Sequence, residues 1–172
     1  IIFDSQTGDK IAGVGNGKLN LNIDTQGQFA MLGNYELTQA TYNFTFMNVI
    51  EKKFDIRPNS RITWTGSPYD ALLDIKASYA QPTSLYPLLP REISAQPQST
   101  DLRRRYPVSV LMLLTGELSH PQIDVGIEIK DYPRAYPFTT AVPSFEAFVQ
   151  SNEQEMRRQV FNLLILRQFA DL

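Results

Sequence analysis

The feature that most constrains the fold is an alternation of apolar and polar residues, with a period of two, that recurs through residues 1–79. The stretches KLNLNID at 18–24 and LDIKASY at 73–79 show it most clearly. Because successive side chains of a strand point to opposite faces, the pattern predicts strands with one buried face. Strands at a spacing of roughly ten residues, separated by turn residues, are typical of an antiparallel meander. No interval between them is long enough for a crossover helix, which excludes a parallel α/β sheet.

The stretch GVGNGK at residues 13–18 could be mistaken for the start of a phosphate-binding loop. Such a loop follows a strand and opens a helix, so that backbone N–H groups point at the anion. The glycine spacing here fits neither common phosphate-binding motif, and a strand pattern follows it. We therefore predict a flexible turn that leads into a strand.

Residues 80–107 interrupt the strand pattern with prolines at positions 82, 87, 90, 97 and 107. Proline cannot donate to a strand ladder, so we predict an irregular loop here, part of it mobile. Strand patterns return at 108–114 and 123–129. The predicted sheet domain spans residues 1–143.

The last part of the chain changes to a helical period. Apolar residues become spaced three and four apart, and the stretch 151–154 forms a capping-box pattern. Glu153 and Arg157 are spaced for a favourable ion pair. We predict that helix is confined to a segment at 144–172, in one helix or in two with a break near the capping box. The stretch 160–166 is almost wholly apolar, so we expect it to be buried.

The composition bounds what the chain can bind. With 172 residues it is long enough for one domain with its own core, and a net charge of −2 gives no basic field that would recruit nucleic acid. It has no cysteine, so it forms neither a disulfide nor a thiolate metal site. No apolar run approaches the ~20 residues that a membrane-spanning helix needs. The chain opens without Met or a signal peptide, so we expect a fragment of a longer protein.

No group of residues in the sequence forms a catalytic or metal-binding pattern. The only histidine, His120, lies beside Pro121 in a predicted turn, without an evident partner for acid–base chemistry. The acidic residues show no calcium-loop spacing. The basic run at 103–105 is interpreted as a solvated loop end rather than an anion site. We therefore expect no enzyme activity, no cofactor and no metal.

One face of the predicted sheet carries an excess of large apolar side chains, and two interpretations of it are open. The face is either the core of a β-sandwich closed by a second sheet, or a hydrophobic groove left by a sheet that curls over itself. Periodicity is equally compatible with both.

An ordered series of short motifs resembles the TamB C-terminal domain family, also described as DUF490. The series covers most of residues 1–129 and runs GNGxLxL at 15–21, GxF at 27–29, GxYxL at 33–37, YxF at 42–44, FxI at 54–56, ITWTGSP at 62–68, LDIxAxY at 73–79 and LTGxLxxP at 114–121. The helical stretch FNLLILRQF at 161–169 is similar to the Bacteroidetes versions of this family, in which the chain continues into further strands.

The resemblance implies a mainly β fold, a curled antiparallel sheet (a β-taco or half-pipe) with an apolar inner groove and a C-terminal helix. It also implies a periplasmic protein that bridges the inner and outer membranes, carries phospholipid between them, and supports outer-membrane protein assembly and protein secretion. The implied partners are phospholipid, an outer-membrane barrel with POTRA domains such as a TamA-like protein, and an inner-membrane anchor outside this fragment.

On this interpretation the apolar residues of the strands line a groove that takes up acyl chains by burial of apolar surface. The predicted lipid-groove residues are Leu19, Leu21, Ile23, Phe29, Met31, Tyr35, Tyr42, Phe44, Phe46, Phe54, Ile56, Ile62, Trp64, Leu73, Ile75, Val108, Val110, Met112, Leu114, Ile123, Val125 and Ile127. The helix either plugs the groove or docks a partner, through Val160, Leu163, Leu164 and Leu166.

Three other functions stay open at this point. One is a scaffold or chaperone that holds strands of unfolded outer-membrane barrels by edge pairing. Another is a closed β-sandwich for adhesion or sugar binding, with Trp64 and the tyrosines as exposed platforms. The third is a small outer-membrane barrel, whose strands would alternate in a similar way.

Overall fold

The computed structural model describes residues 2–4, 9–46, 50–94 and 100–171. The strands are β1 (Ile2–Asp4), β2 (Asp9–Ile23), β3 (Phe29–Phe46), β4 (Ile50–Ile56), β5 (Ser60–Gly66), β6 (Ala71–Ser84), β7 (Arg105–Glu117) and β8 (Gln122–Glu128). The helices are a 3₁₀ helix (Tyr86–Leu88), α1 (Arg91–Ser94), α2 (Thr100–Arg103), α3 (Phe138–Ser151) and α4 (Glu153–Leu166). The prediction of a mainly β fold with an antiparallel sheet and C-terminal helix is confirmed.

All the described strands belong to one sheet, in the order β1-β2-β3-β4-β6-β7-β8, with β5 beside β3 and β6. The pairings from β1 to β6 are antiparallel. A closed sandwich needs a second sheet, so for the described strands that alternative is wrong.

The chain divides into two compact units. Unit 1 consists of residues 1–79 and 112–124, and unit 2 of residues 80–111 and 125–172. The division that we predicted between residues 143 and 144 stays a prediction.

A β-bulge explains why the apolar residues of β3 move from odd-numbered to even-numbered positions along the strand. Gly15 pairs with Leu37 and Ile11 pairs with Tyr42, so β3 uses one residue more than β2 over this interval. The hydroxyl of Thr38 donates to a carbonyl oxygen of β2 at 3.1 Å. Because the extra residue is absorbed by the bulge, Leu37 and Tyr42 reach the same face although they are five positions apart.

The glycines of GVGNGK lie inside β2, so the predicted flexible turn is wrong. A Cβ atom at Gly15 would strike the carbonyl oxygen of Glu36 and would lie 2.8 Å from the ring of Tyr35. Glycine therefore lets β2 and β3 approach closely. The local sequence does not reveal this role, because it depends on a strand about twenty residues further along.

β4 and β5 do not pair with each other as a hairpin. They lie one after the other beside the same strand, β3. Residues 41–46 of β3 pair with β4, and residues 31–37 of β3 pair with β5. β6 also pairs with both strands. The meander prediction, in which successive strands are neighbours, is therefore wrong at this point.

Ser60 stabilises the break between β4 and β5. Its fully buried hydroxyl donates to the carbonyl oxygen of Arg57 at 2.7 Å and accepts from the backbone N–H of Lys76 at 3.0 Å. Asn59, just before it, has a positive φ of 65°, which asparagine tolerates better than most residues. The break is thus a defined local structure that satisfies its own polar groups.

The segment 80–107 in unit 2 is more regular than the prolines predict. β6 continues to Ser84, β7 begins at Arg105, and short helices lie between them. Pro82 and Pro107 lie within strands, and both side chains are exposed. Residues 95–99 lie outside the described residues, and the predicted mobility stays a prediction.

Helix begins earlier than predicted. α3 starts at Phe138 rather than at 144, and Pro143 lies inside it. A proline there removes one helical hydrogen bond, but Phe138, Ala141 and Val142 are buried and stabilise this first part of the helix. The short helices between β6 and β7 are a second departure from the prediction that helix is confined to 144 onward.

The interpretation with two C-terminal helices is confirmed, with a small shift of the cap. Asn152 is extended, and its side-chain oxygen accepts from the backbone N–H of Glu155 at 3.0 Å. Asn152, rather than Ser151, therefore caps α4. The predicted pair of Glu153 and Arg157 forms at 2.7 Å.

Buried amide side chains form hydrogen bonds that stabilise the position of α4 within unit 2. Gln81 on β6 donates to the carbonyl oxygen of Leu163 at 2.6 Å. Gln159, fully buried, donates to the carbonyl oxygen of Ala170 at 3.1 Å and accepts from its N–H at 2.9 Å. The chain after α4 is thereby held against the helix that it leaves.

Candidate functional site

The strand register places the predicted groove residues of β2 to β6 on one face of the sheet. Directly paired residues of antiparallel strands share a face. Leu21 pairs with Met31, Tyr35 with Ile62, and Ile62 in turn with Leu73. The members of this apolar face on β2 to β6 are Leu19, Leu21, Ile23, Phe29, Met31, Tyr35, Tyr42, Phe44, Phe54, Ile56, Ile62, Trp64, Leu73 and Ile75. The side chain of Phe46 lies outside the described part of the chain.

The apolar face is buried over one part and open to solvent over another. Phe54 and Ile62 are fully buried. At the tip of the β2–β3 hairpin, by contrast, the exposed fractions are 59% for Leu21, 73% for Ile23 and 42% for Phe29. We call these three residues the open end of the face. Among the members of this face, they are the large apolar side chains that are most exposed to solvent.

Polar groups that the sequence reading missed also lie on this face. Lys52 pairs with Phe44 and therefore shares its face, and its ammonium nitrogen lies 5.3 Å from the centroid of the Tyr79 ring. The alternation of β4 carries the signal, because positions 52, 54 and 56 must face one way. The sequence-based prediction included only the apolar residues among these positions.

Asp9 is a second polar group beside the apolar face. Its carboxylate accepts from the hydroxyl of Tyr42 at 2.9 Å and from the backbone N–H of Thr45 at 2.8 Å. Burial, together with the charge and hydrogen bond of Asp9, raises the pKa of Tyr42 far above its usual value. The phenol therefore stays protonated and acts as a structural donor.

Trp64 is not an exposed platform, so that part of the adhesion hypothesis is wrong. Only 8% of its surface is exposed, and its ring N–H donates to the carbonyl oxygen of Pro68 at 3.1 Å. The tryptophan instead closes the turn that follows β5. A buried indole with a satisfied N–H is a core residue.

The remaining predicted strand residues divide between the two units. In unit 1, Met112 and Leu114 are buried and Ile123 is 37% exposed. In unit 2, Val108, Val110 and Ile127 are buried and Val125 is half-buried.

Three of the four predicted helix residues are core residues of unit 2. Val160, Leu163 and Leu164 are buried, whereas Leu166 is 55% exposed. Phe161 is also exposed, at 42%. The expectation that the whole stretch 160–166 is buried is therefore wrong, since one side of the last turns of α4 faces solvent.

The last candidates for a chemical site are metal-binding clusters and the single histidine. Among the described residues, no group of three or more His, Cys, Asp or Glu side chains could hold a metal ion. His120 is exposed, with Nδ1 3.2 Å from the hydroxyl of Ser119. Among the helices of these residues, none has the length and apolarity required to cross a bilayer.

The fold and the face together define a class of protein: a mainly β chain whose antiparallel sheet presents an apolar face, followed by C-terminal helices. The family model described as the TamB C-terminal domain matches residues 1–171, and the chain belongs to that family. The resemblance of the motifs is thereby confirmed. No curated protein and no solved structure matches the chain significantly.

Membership of this family connects the chain with TamB-type translocation and assembly. The family is membrane-associated in the cell envelope and is associated with a TamA partner.

Proposed function

We propose that the apolar face of unit 1 carries acyl chains of phospholipid between the inner and outer membranes. The protein works in the periplasm, is anchored in the inner membrane through a segment outside this chain, and meets an outer-membrane barrel with POTRA domains. Through the same partner it supports outer-membrane protein assembly and secretion. The role is carriage rather than catalysis, and it needs no cofactor.

The observation that carries the proposal is the open end of the apolar face. Leu21, Ile23 and Phe29 are exposed, yet the register joins them to residues of the same face that are fully buried. Large exposed apolar side chains that continue into a buried apolar surface mark a binding site for apolar ligands. An acyl chain laid on them gains about 25 cal/mol for each Å² of apolar surface removed from water.

A photo-crosslinking residue placed at position 21 tests the proposal in cells. Leu21 and its neighbour Asn20 are both exposed but face opposite sides of the sheet. We expect the probe at position 21 to capture phospholipid and the matched probe at position 20 to capture little, as measured by mass spectrometry of the adducts. Equal capture at the two positions would contradict the proposal, because it would show no preference for the apolar face.

A second function, the holding of unfolded barrel strands, is favoured by the edge of β2. Among the described residues, β1 pairs with β2 at Asp9 and Lys10. Over positions 12–23, the only described strand beside β2 is β3. An edge of this length offers backbone N–H and C=O groups to an incoming strand. If the probe at position 21 captures outer-membrane protein in place of lipid, this second function is the correct one.

A further inference from the structure

Unit 2 has an apolar surface of its own. A groove of about 760 Å³ runs between α3 and the segment 86–91. Its apolar lining includes Leu88, Phe145 and Phe148, of which Phe148 is 45% exposed. The volume lies within the range of roughly 300–1,000 Å³ that is usual for small-molecule sites. We call it the helix groove.

A smaller recess of about 310 Å³ adjoins the helix groove, and the two share Tyr86 and Pro87 as lining. Its lining also includes two cations, Arg105 and Arg167, together with the exposed side chain of Leu166. In the part of the chain that the structure describes, neither arginine forms an ion pair with a carboxylate. Guanidinium groups are permanently charged and match carboxylates in geometry.

The charges are distributed unequally around these two cavities. The helix groove is lined by one cation, Arg91, and one anion, Asp171, whereas the recess is lined by two cations, Arg105 and Arg167, and by no acidic residue among those described. An anionic group is therefore attracted more strongly to the recess than to the groove, where the two opposite charges offset each other. The arrangement suits a ligand with an anionic head and an apolar tail.

We propose that the helix groove and its recess bind a long-chain fatty acid, with the tail in the groove and the carboxylate between Arg105 and Arg167. The helix groove offers one apolar cavity and the recess one small basic cavity, which together match a single acyl chain with a compact head. A phospholipid brings a second chain and a larger head, for which this pair of cavities has no counterpart. The site lies in unit 2 and is independent of the sheet face proposed above to carry phospholipid.

Titration of the protein with cis-parinaric acid, a fluorescent fatty acid, tests this proposal. We expect saturable binding that weakens at least about tenfold in a double variant Arg105→Gln/Arg167→Gln, because two charge-assisted contacts are lost. Thr140→Trp, at an exposed groove position on α3, should fill the groove and remove the same component of binding that the arginine double variant weakens. The matched control Arg61→Gln, an exposed arginine in unit 1, should bind as the wild type does.

Two results would overturn the proposal. Unchanged binding in the arginine double variant and in Thr140→Trp would place the fatty acid elsewhere in the protein. Tighter competition by a long-chain alcohol or by dioleoylphosphatidylglycerol than by palmitate would show that a carboxylate is not the recognised head. Thermal melting of each variant separates loss of binding from loss of fold, and lipid capture at position 21 is unaffected by either result.

Discussion

At the scale of single residues, Tyr42 couples the core of unit 1 to pH. Its phenol is buried, and it donates to the carboxylate of Asp9. Burial first, and then the charge and hydrogen bond of Asp9, raise the pKa of Tyr42 above the ordinary value of 10.0. The folded protein thus keeps a proton that the unfolded chain loses as the pH rises past about 10. The stabilising contribution is complete below that pH and is lost progressively above it.

Replacing Tyr42 with Phe should therefore flatten the loss of stability at alkaline pH. At pH 8 we expect Tyr42→Phe to cost about 1–3 kcal/mol, because the carboxylate of Asp9 loses a buried donor. Between pH 8 and pH 11, melting temperatures should fall less in this variant than in the wild type. The control is Tyr69→Phe, since Tyr69 is 80% exposed and should leave the pH dependence unchanged. Equal slopes in wild type and Tyr42→Phe would contradict the assignment.

Single residues also show where sequence reasoning succeeded and where it failed. The alternation at 19–23 and 29–35 predicts correctly which side chains share a face, because alternation is a property of neighbours in the chain. Lys52, by contrast, lies on the apolar face through its pairing with Phe44, and Asp9 through its bond to Tyr42. Such partners are set by strand register, which the local pattern of one strand does not contain.

At the scale of elements, α4 has two different sides. Leu163 is fully buried, and its carbonyl oxygen accepts from Gln81 on β6. Phe161, on the same helix, is 42% exposed. The packing of α4 in unit 2 therefore depends on the first side, and the second side is available to solvent.

An aspartate at position 163 should destabilise the isolated protein. We expect Leu163→Asp to lower the free energy of unfolding by about 2–4 kcal/mol, because a charge is forced into an apolar contact. Phe161→Asp, the matched change on the exposed side, should cost about 1 kcal/mol or less. Chemical denaturation of both variants measures the difference. If Leu163→Asp leaves stability unchanged and abolishes binding to the outer-membrane partner, the docking role of α4 is the correct one.

Secondary-structure elements were predicted correctly where the local sequence alone determines them. The two C-terminal helices, with their ion pair and polar cap, follow from local spacing. The break between β4 and β5 and the early start of α3 do not. The first depends on hydrogen bonds from Ser60 to a strand sixteen positions away, and the second on burial of Phe138 despite Pro143.

At the scale of the whole molecule, the strands of the sheet are supported unequally, because some are paired on both sides and others on one. β5 is paired on both sides, by β3 and β6. β2 is paired over positions 12–23 only with β3 among the described strands. Backbone amides paired on both sides open less often, so protection should fall from the middle strands towards β2.

Hydrogen exchange measured by mass spectrometry should show this order. We expect peptides covering Ser60–Gly66 to exchange markedly more slowly than peptides covering residues 12–23. Addition of a urea-unfolded outer-membrane barrel protein should raise protection at 12–23 only if the β2 edge holds strands. Phospholipid vesicles serve as the control addition and should leave the backbone amides of residues 12–18, which precede the open end, unchanged. Uniform protection across the sheet would contradict the unequal support.

The interruption between β4 and β5 has a consequence for how the chain can change in length. Because β4 and β5 pair with different parts of β3, the register of one strand does not determine the register of the other. Residues inserted beside the exposed Pro58 would cost the hydrogen bond from Ser60 to Arg57 but would leave both ladders aligned. A single residue inserted within either strand would instead turn its remaining side chains to the wrong face. Variation in length between related chains should therefore collect at this point, as should successful peptide insertions.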